Sequence, residues 1–243
     1  MNLAEKIVRA KADLDAAYEA GKAAVSGDNY YDTFWESYQN NGNRVDYAYG
    51  FAGDGWNDGN YRPKYLIKPK DTYMMFARTR ISKTSGIDFS EATSFDYSFY
   101  YSNFLKEVDV GSIPKVKSFN MSFSSGVIET VRMRDIDEAC TFSNTFKGAS
   151  QLVNVDTTGS IGSDISFVDC KKLNRLSMDS IRDHLSDNVT GKTCTFSQVA
   201  VFWAGFDKFG TDGFTPGVDA GIIADDVWVA WKSVKPNWTI TYL

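Results

Sequence analysis

The chain holds a single histidine, His184, so any serine or cysteine triad would have to be built around it. It lies between Asp183 and Leu185 in a stretch of helical spacing, and no nucleophile-elbow signature surrounds any serine or cysteine. A solvated helix histidine is the reading that remains. The cysteines, Cys140, Cys170 and Cys194, are odd in number and show no C-x-x-C spacing. That pattern argues against a zinc site or a disulfide framework and for reduced, small apolar thiols. Runs of about 18 apolar residues are absent, so no segment is expected to cross a membrane. The charged start of the chain lacks the apolar core of a secretory signal, and no signal peptide is expected. An excess of one charge is missing too. With 31 acidic against 26 basic residues the net charge is −5, which disfavours nucleic acid or an anionic membrane as partner.

Signatures of bound cofactors are equally scarce. No G-x-G-x-x-G follows a strand pattern, and Gly191-Lys192-Thr193 has Ser186 where a P-loop needs its upstream glycine. The run Asp54-Gly55-Trp56-Asn57-Asp58-Gly59-Asn60 has the outline of a calcium loop. It fails because Trp56 takes a ligand place and Tyr65 stands where a bidentate acid belongs, so a turn-rich capping loop with no metal is expected. The acids of Asp135-Ile136-Asp137-Glu138 could pair to cleave a glycosidic bond, but adjacent acids in one turn read better as a solvated edge. No cofactor and no catalytic residue are expected.

What the chain does have is repetition. Apolar residues make up 43% and aromatic ones 15%, enough for an ordered protein. Phe95-Asp96-Tyr97-Ser98-Phe99 recurs as Phe119-Asn120-Met121-Ser122-Phe123 and Phe142-Ser143-Asn144-Thr145-Phe146. With Phe76 as a degraded earlier member, the second Phe of each copy returns at steps of 23, 24 and 23 residues. After each comes a short ladder: Leu105-x-x-Val108-x-Val110, Ile128-x-x-Val131-x-Met133, Leu152-x-x-Val155-x-Thr157. Ladder and period together match the strand signature of a leucine-rich repeat. One copy buries too little alone, so successive coils should cover one another along a shared core. The alternate ladder residues should face inward from a strand, and each Phe-x-x-x-Phe pair from a helical or 3₁₀ turn.

The ladder joined to a Phe-centred turn resembles the BspA-like leucine-rich repeat family. Over nearly its full length the chain is similar to short repeat proteins encoded by phages and prophages of gut Firmicutes, near tail and baseplate genes. The residues carrying that likeness are Tyr18-Glu19-Ala20-Gly21-Lys22, Tyr31-Asp32-Thr33-Phe34-Trp35, Gln39-Asn40-Asn41-Gly42-Asn43-Arg44, Phe51-Ala52-Gly53, Gly55-Trp56 and Pro63-Lys64-Tyr65. Gly191-Lys192-Thr193 and Asn237-Trp238-Thr239-Ile240 carry it at the other end. These motifs are architectural and bring no catalytic residue. The resemblance implies a virion protein of the phage tail, assembled in the bacterial cytoplasm, with other tail or baseplate proteins and a bacterial surface receptor as partners.

The expected fold class is α+β: a leucine-rich-repeat solenoid of short parallel strands with helical or 3₁₀ turns, an N-terminal helix and an α/β C-terminal cap. The expected division is 1–27 for the N-terminal helix, 28–72 for a capping helix and loop, 73–170 for the array and 171–243 for the cap. In the first helix Leu3, Ile7, Ala10, Leu14 and Ala17 alternate four and three apart, a narrow seam suited to helix–helix packing. Self-association is expected there, as a homo-trimer by the resemblance; a helix lying against the first repeat is the other reading. Within the cap, Ser177 is expected to start a helix carrying Met178, Ile181 and Leu185, in preference to a further ladder from Leu173 and Leu176. Thr193 to Phe196 should be a strand, Ser197 a cap for a helix carrying Val199, Val201 and Phe202, and Gly205 to Gly217 a loop. Val227, Trp231 and Val234 should form one helical face stopped by Pro236, with a closing strand from Trp238 to Leu243.

Catalysis being disfavoured, binding is the expected role. Outward aromatics are the candidates: Tyr97, Tyr100 and Tyr101 in one turn, Trp56 and Tyr61 in the preceding loop. Flat rings suit a sugar or a protein hot spot, although rings packed beneath loops would look the same in sequence.

Overall fold

The computed structural model describes residues 68–70, 72–78, 84, 87–206 and 225–243. The expected N-terminal helix with its seam, the capping helix and loop up to residue 67, and residues 207–217 of the later loop lie outside them. The described fold is mixed α/β, with short parallel strands in two sheets, few helices and no closed barrel. Strands β1 (Glu107–Ser112), β2 (Thr130–Ile136) and β3 (Asn154–Gly159) make one sheet in that order; β4 (Ile165–Phe167), β5 (Lys192–Phe196) and β6 (Trp238–Tyr242) make the other. A 3₁₀ turn covers Phe89–Glu91, and α1 (Arg175–Asp183) lies between β4 and β5. The short α2 (Gln198–Val201) runs into a π turn at Phe202–Phe206, and α3 (Asp225–Lys232) precedes β6.

The ladders form the first sheet as their alternation requires. Val108 pairs in register with Val131, and Val131 with Val155. Leu105, Val108, Val110, Ile128, Val131, Met133, Leu152 and Val155 are all buried, while Glu107, Asp109, Arg132, Arg134 and Asp156 on alternate positions face outward. At or next to the end of each strand stands a residue of left-handed backbone: Gly111 (φ 64°), Asp135 (φ 57°) and Gly159 (φ 98°). The register shifts there, with a β-bulge at Gly111 in β1 and at Asp135 in β2.

The Phe-x-x-x-Phe segments correct the expectation of helical or 3₁₀ turns. Tyr97, Met121 and Asn144, the middle residues, have φ of 57°, 52° and 50°, as does Met74 at 52° in the earlier copy. Four residues on, Arg78, Tyr101, Ser125 and Gly148 are left-handed as well. A right-handed helix cannot contain such residues. Their effect is to aim alternate amides at the neighbouring copy. The amides of residues 95, 97, 99 and 101 donate to the carbonyls of 118, 120, 122 and 124 at 2.8–3.1 Å, and those of 119, 121, 123 and 125 to 141, 143, 145 and 147. The turns are thus joined copy to copy by backbone bonds, much as strands are.

Inside these turns the phenylalanines lie ring over ring. Phe76, Phe99, Phe123, Phe146, Phe167 and Phe196 form one column, with centroid separations of 5.2, 5.4, 5.5, 4.6 and 5.7 Å. Phe95, Phe119 and Phe142 form a second at 5.2 and 5.5 Å. Buried hydroxyls cross-link the copies beside the rings. Ser98, Ser122 and Thr145, each just before the second Phe, donate to the carbonyls of Thr72, Phe95 and Phe119 at 2.5–2.8 Å. A buried hydroxyl is tolerated here because a carbonyl receives it.

Past residue 160 each row of copies changes its secondary structure. The turns give way to β4, β5 and β6, which continue the first column through Phe167 and Phe196. The first sheet is closed by α1 instead of a fourth strand. Ser177 and Ser180 accept hydrogen bonds from the amides of Val155 (2.8 Å) and Thr157 (3.1 Å) on the edge of β3. Helix α1 is the one expected, with Met178, Ile181 and Leu185 buried, but Asn174 caps it, accepting from the Ser177 amide at 2.9 Å. Ser177 is three residues inside the helix because its hydroxyl is turned to the strand edge.

Strands 192–196 and 238–242 stand where expected, and Ser197 precedes α2, without a side-chain cap bond. The expected face of α3 needs correction. Val227 and Val234 are 43% and 57% exposed, and Trp228 joins Trp231 in the core. The two indoles stack at 5.1 Å and meet Phe196 and Phe206 edge-on, so the larger apolar surfaces take the inward positions. The ring column ends against this pair, and Trp231 donates to Asp179 of α1 at 2.6 Å.

A β-carbon on Gly159 would lie 2.2 Å from the Ile136 nitrogen and 2.4 Å from its oxygen, whereas one on Gly111 meets nothing within 4 Å. Gly111→Ala should therefore cost only the left-handed penalty of about 1–2 kcal/mol. Gly159→Ala should cost at least about 3 kcal/mol, since backbone must move as well. Urea unfolding of the two variants beside the parent protein measures the difference.

Candidate functional site

With the inward positions filled by apolar side chains, chemistry is left to the outward ones. On the first sheet these carry opposite charges on successive ladders, paired diagonally two residues off the strand register. Arg134 grips Asp109 through two nitrogens at 2.8 and 3.2 Å, and Arg132 pairs with Glu107. The Gly111 amide adds a bond of 2.9 Å to Asp109, fixing the carboxylate from the side of the bulge. Burial acts to raise the Asp109 carboxyl, but the Arg134 and Gly111 bonds outweigh it and hold the group below the ordinary range. The same bond raises the Arg134 guanidinium. Both stay ionised.

At the β1 edge of this sheet lies a groove of about 590 Å³. One side is the 3₁₀ turn, with Asp88 and Ser90; the other is Glu107, Asp109, Ser112 and Arg134; Phe89 and Val110 contribute apolar lining. Asp88 caps the 3₁₀ turn by accepting from the Ser90 amide at 3.0 Å and pairs with Lys68 at 3.0 Å. Bonds from Ser90 foremost, and then Lys68, bring its carboxyl down to about 2.

The candidate tyrosines come together elsewhere. Tyr97 and Tyr100 meet edge-on at 5.7 Å, Tyr100 and Tyr101 at 4.5 Å, and Tyr73 joins Tyr97 at 5.9 Å. Tyr101 is 40% exposed and has the Arg78 guanidinium 5.9 Å from its ring centre. Tyr97 is half-buried; it and Tyr101 hold the left-handed positions of their turn. Trp56 and Tyr61, with Leu3, Ile7, Ala10, Leu14 and Ala17, lie outside the described residues.

Each of the acids of 135–138 is engaged by a partner of its own. Asp135 accepts from Ser112 at 2.5 Å, and Asp137 pairs with Lys117 at 2.8 Å. Glu138 accepts from Ser186 and, at 3.1 Å, from Asn188, tying the array to the segment after α1. The Lys117 bond lowers the carboxyl of Asp137, and the Ser186 bond lowers that of Glu138. A general acid needs the opposite shift. His184 is half-buried at the end of α1, one ring nitrogen 2.8 Å from the Ser180 carbonyl. All three cysteines are free and buried; burial pushes the Cys140 thiol up to about 12 and raises Cys170 and Cys194 as well. Among the described residues no helix is long and apolar enough to cross a membrane.

Comparison with models of known protein families, with curated proteins and with solved structures returns no match for the chain.

The Asp109–Arg134 pair and its groove escaped the reading of the sequence. The signal was present as Glu107-x-Asp109 over Arg132-x-Arg134, acids above bases one repeat apart. The stronger apolar ladder interleaved with those residues hides it.

Thiol accessibility offers one check. A thiol reagent such as dithionitrobenzoate should label none of Cys140, Cys170 and Cys194 in the folded protein and all three in denaturant. Acid stability offers another. Because the folded carboxyl of Asp88 is depressed, its contribution is present above pH about 4 and is lost as pH falls toward 2. Urea unfolding between pH 5 and pH 2.5 should show a smaller loss of stability in Asp88→Asn than in the parent.

Proposed function

We propose that this chain is a BspA-like leucine-rich-repeat solenoid that works as a non-enzymatic, tail-associated protein of a phage or prophage. It contacts a bacterial surface receptor through outward side chains of the repeats, in company with other tail or baseplate proteins. Its first helix would join three copies through Leu3, Ile7, Ala10, Leu14 and Ala17.

The observation that carries the binding reading is the division of labour within each copy. Inward positions of turn and strand are apolar and stacked in register, so outward positions are free to vary without disturbing the core. The exposed tyrosines are held on backbone joined copy to copy, which gives a rigid platform at low entropic cost. The separately engaged carboxylates of Asp135, Asp137 and Glu138 favour recognition over glycan cleavage. The tail setting rests on the resemblance of the sequence motifs.

Fluorescently labelled full-length protein, titrated onto a panel of gut Firmicutes cells, tests the proposal. Saturable binding to some strains is expected, weakened at least about tenfold by the double change Tyr97→Ala, Tyr101→Ala with unfolding temperature within a few degrees of the parent. Binding to no strain would overturn receptor recognition and leave a purely structural virion role. New reducing ends released from cell-wall or capsular polysaccharide, and lost in Asp135→Asn or Asp137→Asn, would replace it with an enzyme.

A further inference from the structure

We infer that the groove at the β1 edge is a binding site for a neutral sugar residue, separate from the tyrosine cluster. The volume, about 590 Å³, lies within the range that small-ligand sites occupy. Its lining holds Asp88, Glu107 and Asp109 against Arg134, and each of these acids is already paired, two of them with cations standing just outside the groove. Asp88 has Lys68, Glu107 has Arg132 and Asp109 has Arg134 as its own cationic partner. An ionic ligand would have to break one of these pairs, while a neutral one has only to add to them.

The Asp109–Arg134 pair is built for vicinal hydroxyls. A carboxylate and a guanidinium joined by two parallel bonds lie nearly in one plane, with acceptor lone pairs on one half and spare N–H donors on the other. Neighbouring hydroxyls on a sugar ring can donate to the first and accept from the second at once. The pair is held before any ligand arrives, because Asp109 also takes the Gly111 amide from the left-handed bulge. Glu107 and Ser112 extend the polar rim along the strand, and the half-buried Ile87 adds apolar lining beside them. Such a mixture of few fixed polar groups beside apolar lining is what orients a small ligand. The inference stands on the groove and does not need the tail setting.

The test uses the full chain and ligand-observed saturation-transfer NMR, with glucose, galactose, mannose, rhamnose, N-acetylglucosamine and N-acetylgalactosamine as neutral probes. Glucosamine and glucuronate serve as charged ones. Saturable binding of at least one neutral sugar is expected, weakened tenfold or more by Asp109→Asn and by Arg134→Ala, and unchanged by Tyr101→Ala. Should either variant lose its folded near-ultraviolet spectrum, the exposed Glu107→Gln takes its place with a weakening of at least threefold. Binding of none of the neutral sugars, binding of a charged probe alone, or a loss of binding in Tyr101→Ala but in none of the groove variants would overturn the inference.

Discussion

The contact of one phenylalanine ring with the ring of the next copy is the constraint from which the rest of this structure follows. Rings 4.6–5.7 Å apart leave no room for a copy to slip by one residue, since a slip would place a polar neighbour in the column. The column therefore fixes the register of the strands, although the strands themselves contribute only two or three inward side chains each. Hydroxyls and left-handed residues serve the same end. Ser98, Ser122 and Thr145 satisfy carbonyls that the turns bring beside the rings, and the left-handed positions let alternate amides reach the adjoining copy.

A core fixed in this way leaves the outward positions outside the packing that holds the copies together. Tyr101 stands exposed and Tyr97 half-buried at left-handed positions whose amides are bonded to the next copy. Asp109 and Arg134 stand outward on strands whose inward residues are Val108, Val110 and Met133. Changing the outward residue leaves the inward contact intact, which is the property a recognition surface needs. At the far end the column meets Trp228 and Trp231, and α1 closes the edge of β3 with two serines.

Much of this arrangement was legible in the chain. The repeat of Phe99, Phe123 and Phe146 and the alternation in each ladder identified the buried faces, because apolar periodicity is a direct record of burial. Phe167 and Phe196 are harder to see as members of the same column, since they follow at steps of 21 and 29 residues, the second lengthened by α1, instead of 23 or 24. The left-handed turns were hidden for a different reason. Glycine or asparagine advertises such a position, as at Gly148 and Asn144, but Tyr97, Met121 and Tyr101 occupy it under compulsion from the stack. On α3 the spacing of Val227, Trp231 and Val234 is as helical as that of Trp228 with Trp231, and only bulk sets Trp228 inward and the valines outward. Of the surface, the tyrosine cluster was visible within one turn. The Asp109–Arg134 groove required a diagonal pairing of residues 25 apart, off the strand register that sets Asp109 beside Arg132.

The central claim is that adjacent rings stabilise one another as a column. A double-mutant cycle on Phe99→Leu and Phe123→Leu, read by urea unfolding beside the same cycle on Phe99→Leu and Phe167→Leu, tests it most directly. Adjacent rings should show a coupling of about 0.5–1.5 kcal/mol, and the distant pair should be additive within about 0.5 kcal/mol. Additivity in the adjacent pair, or equal coupling in both, would contradict the account.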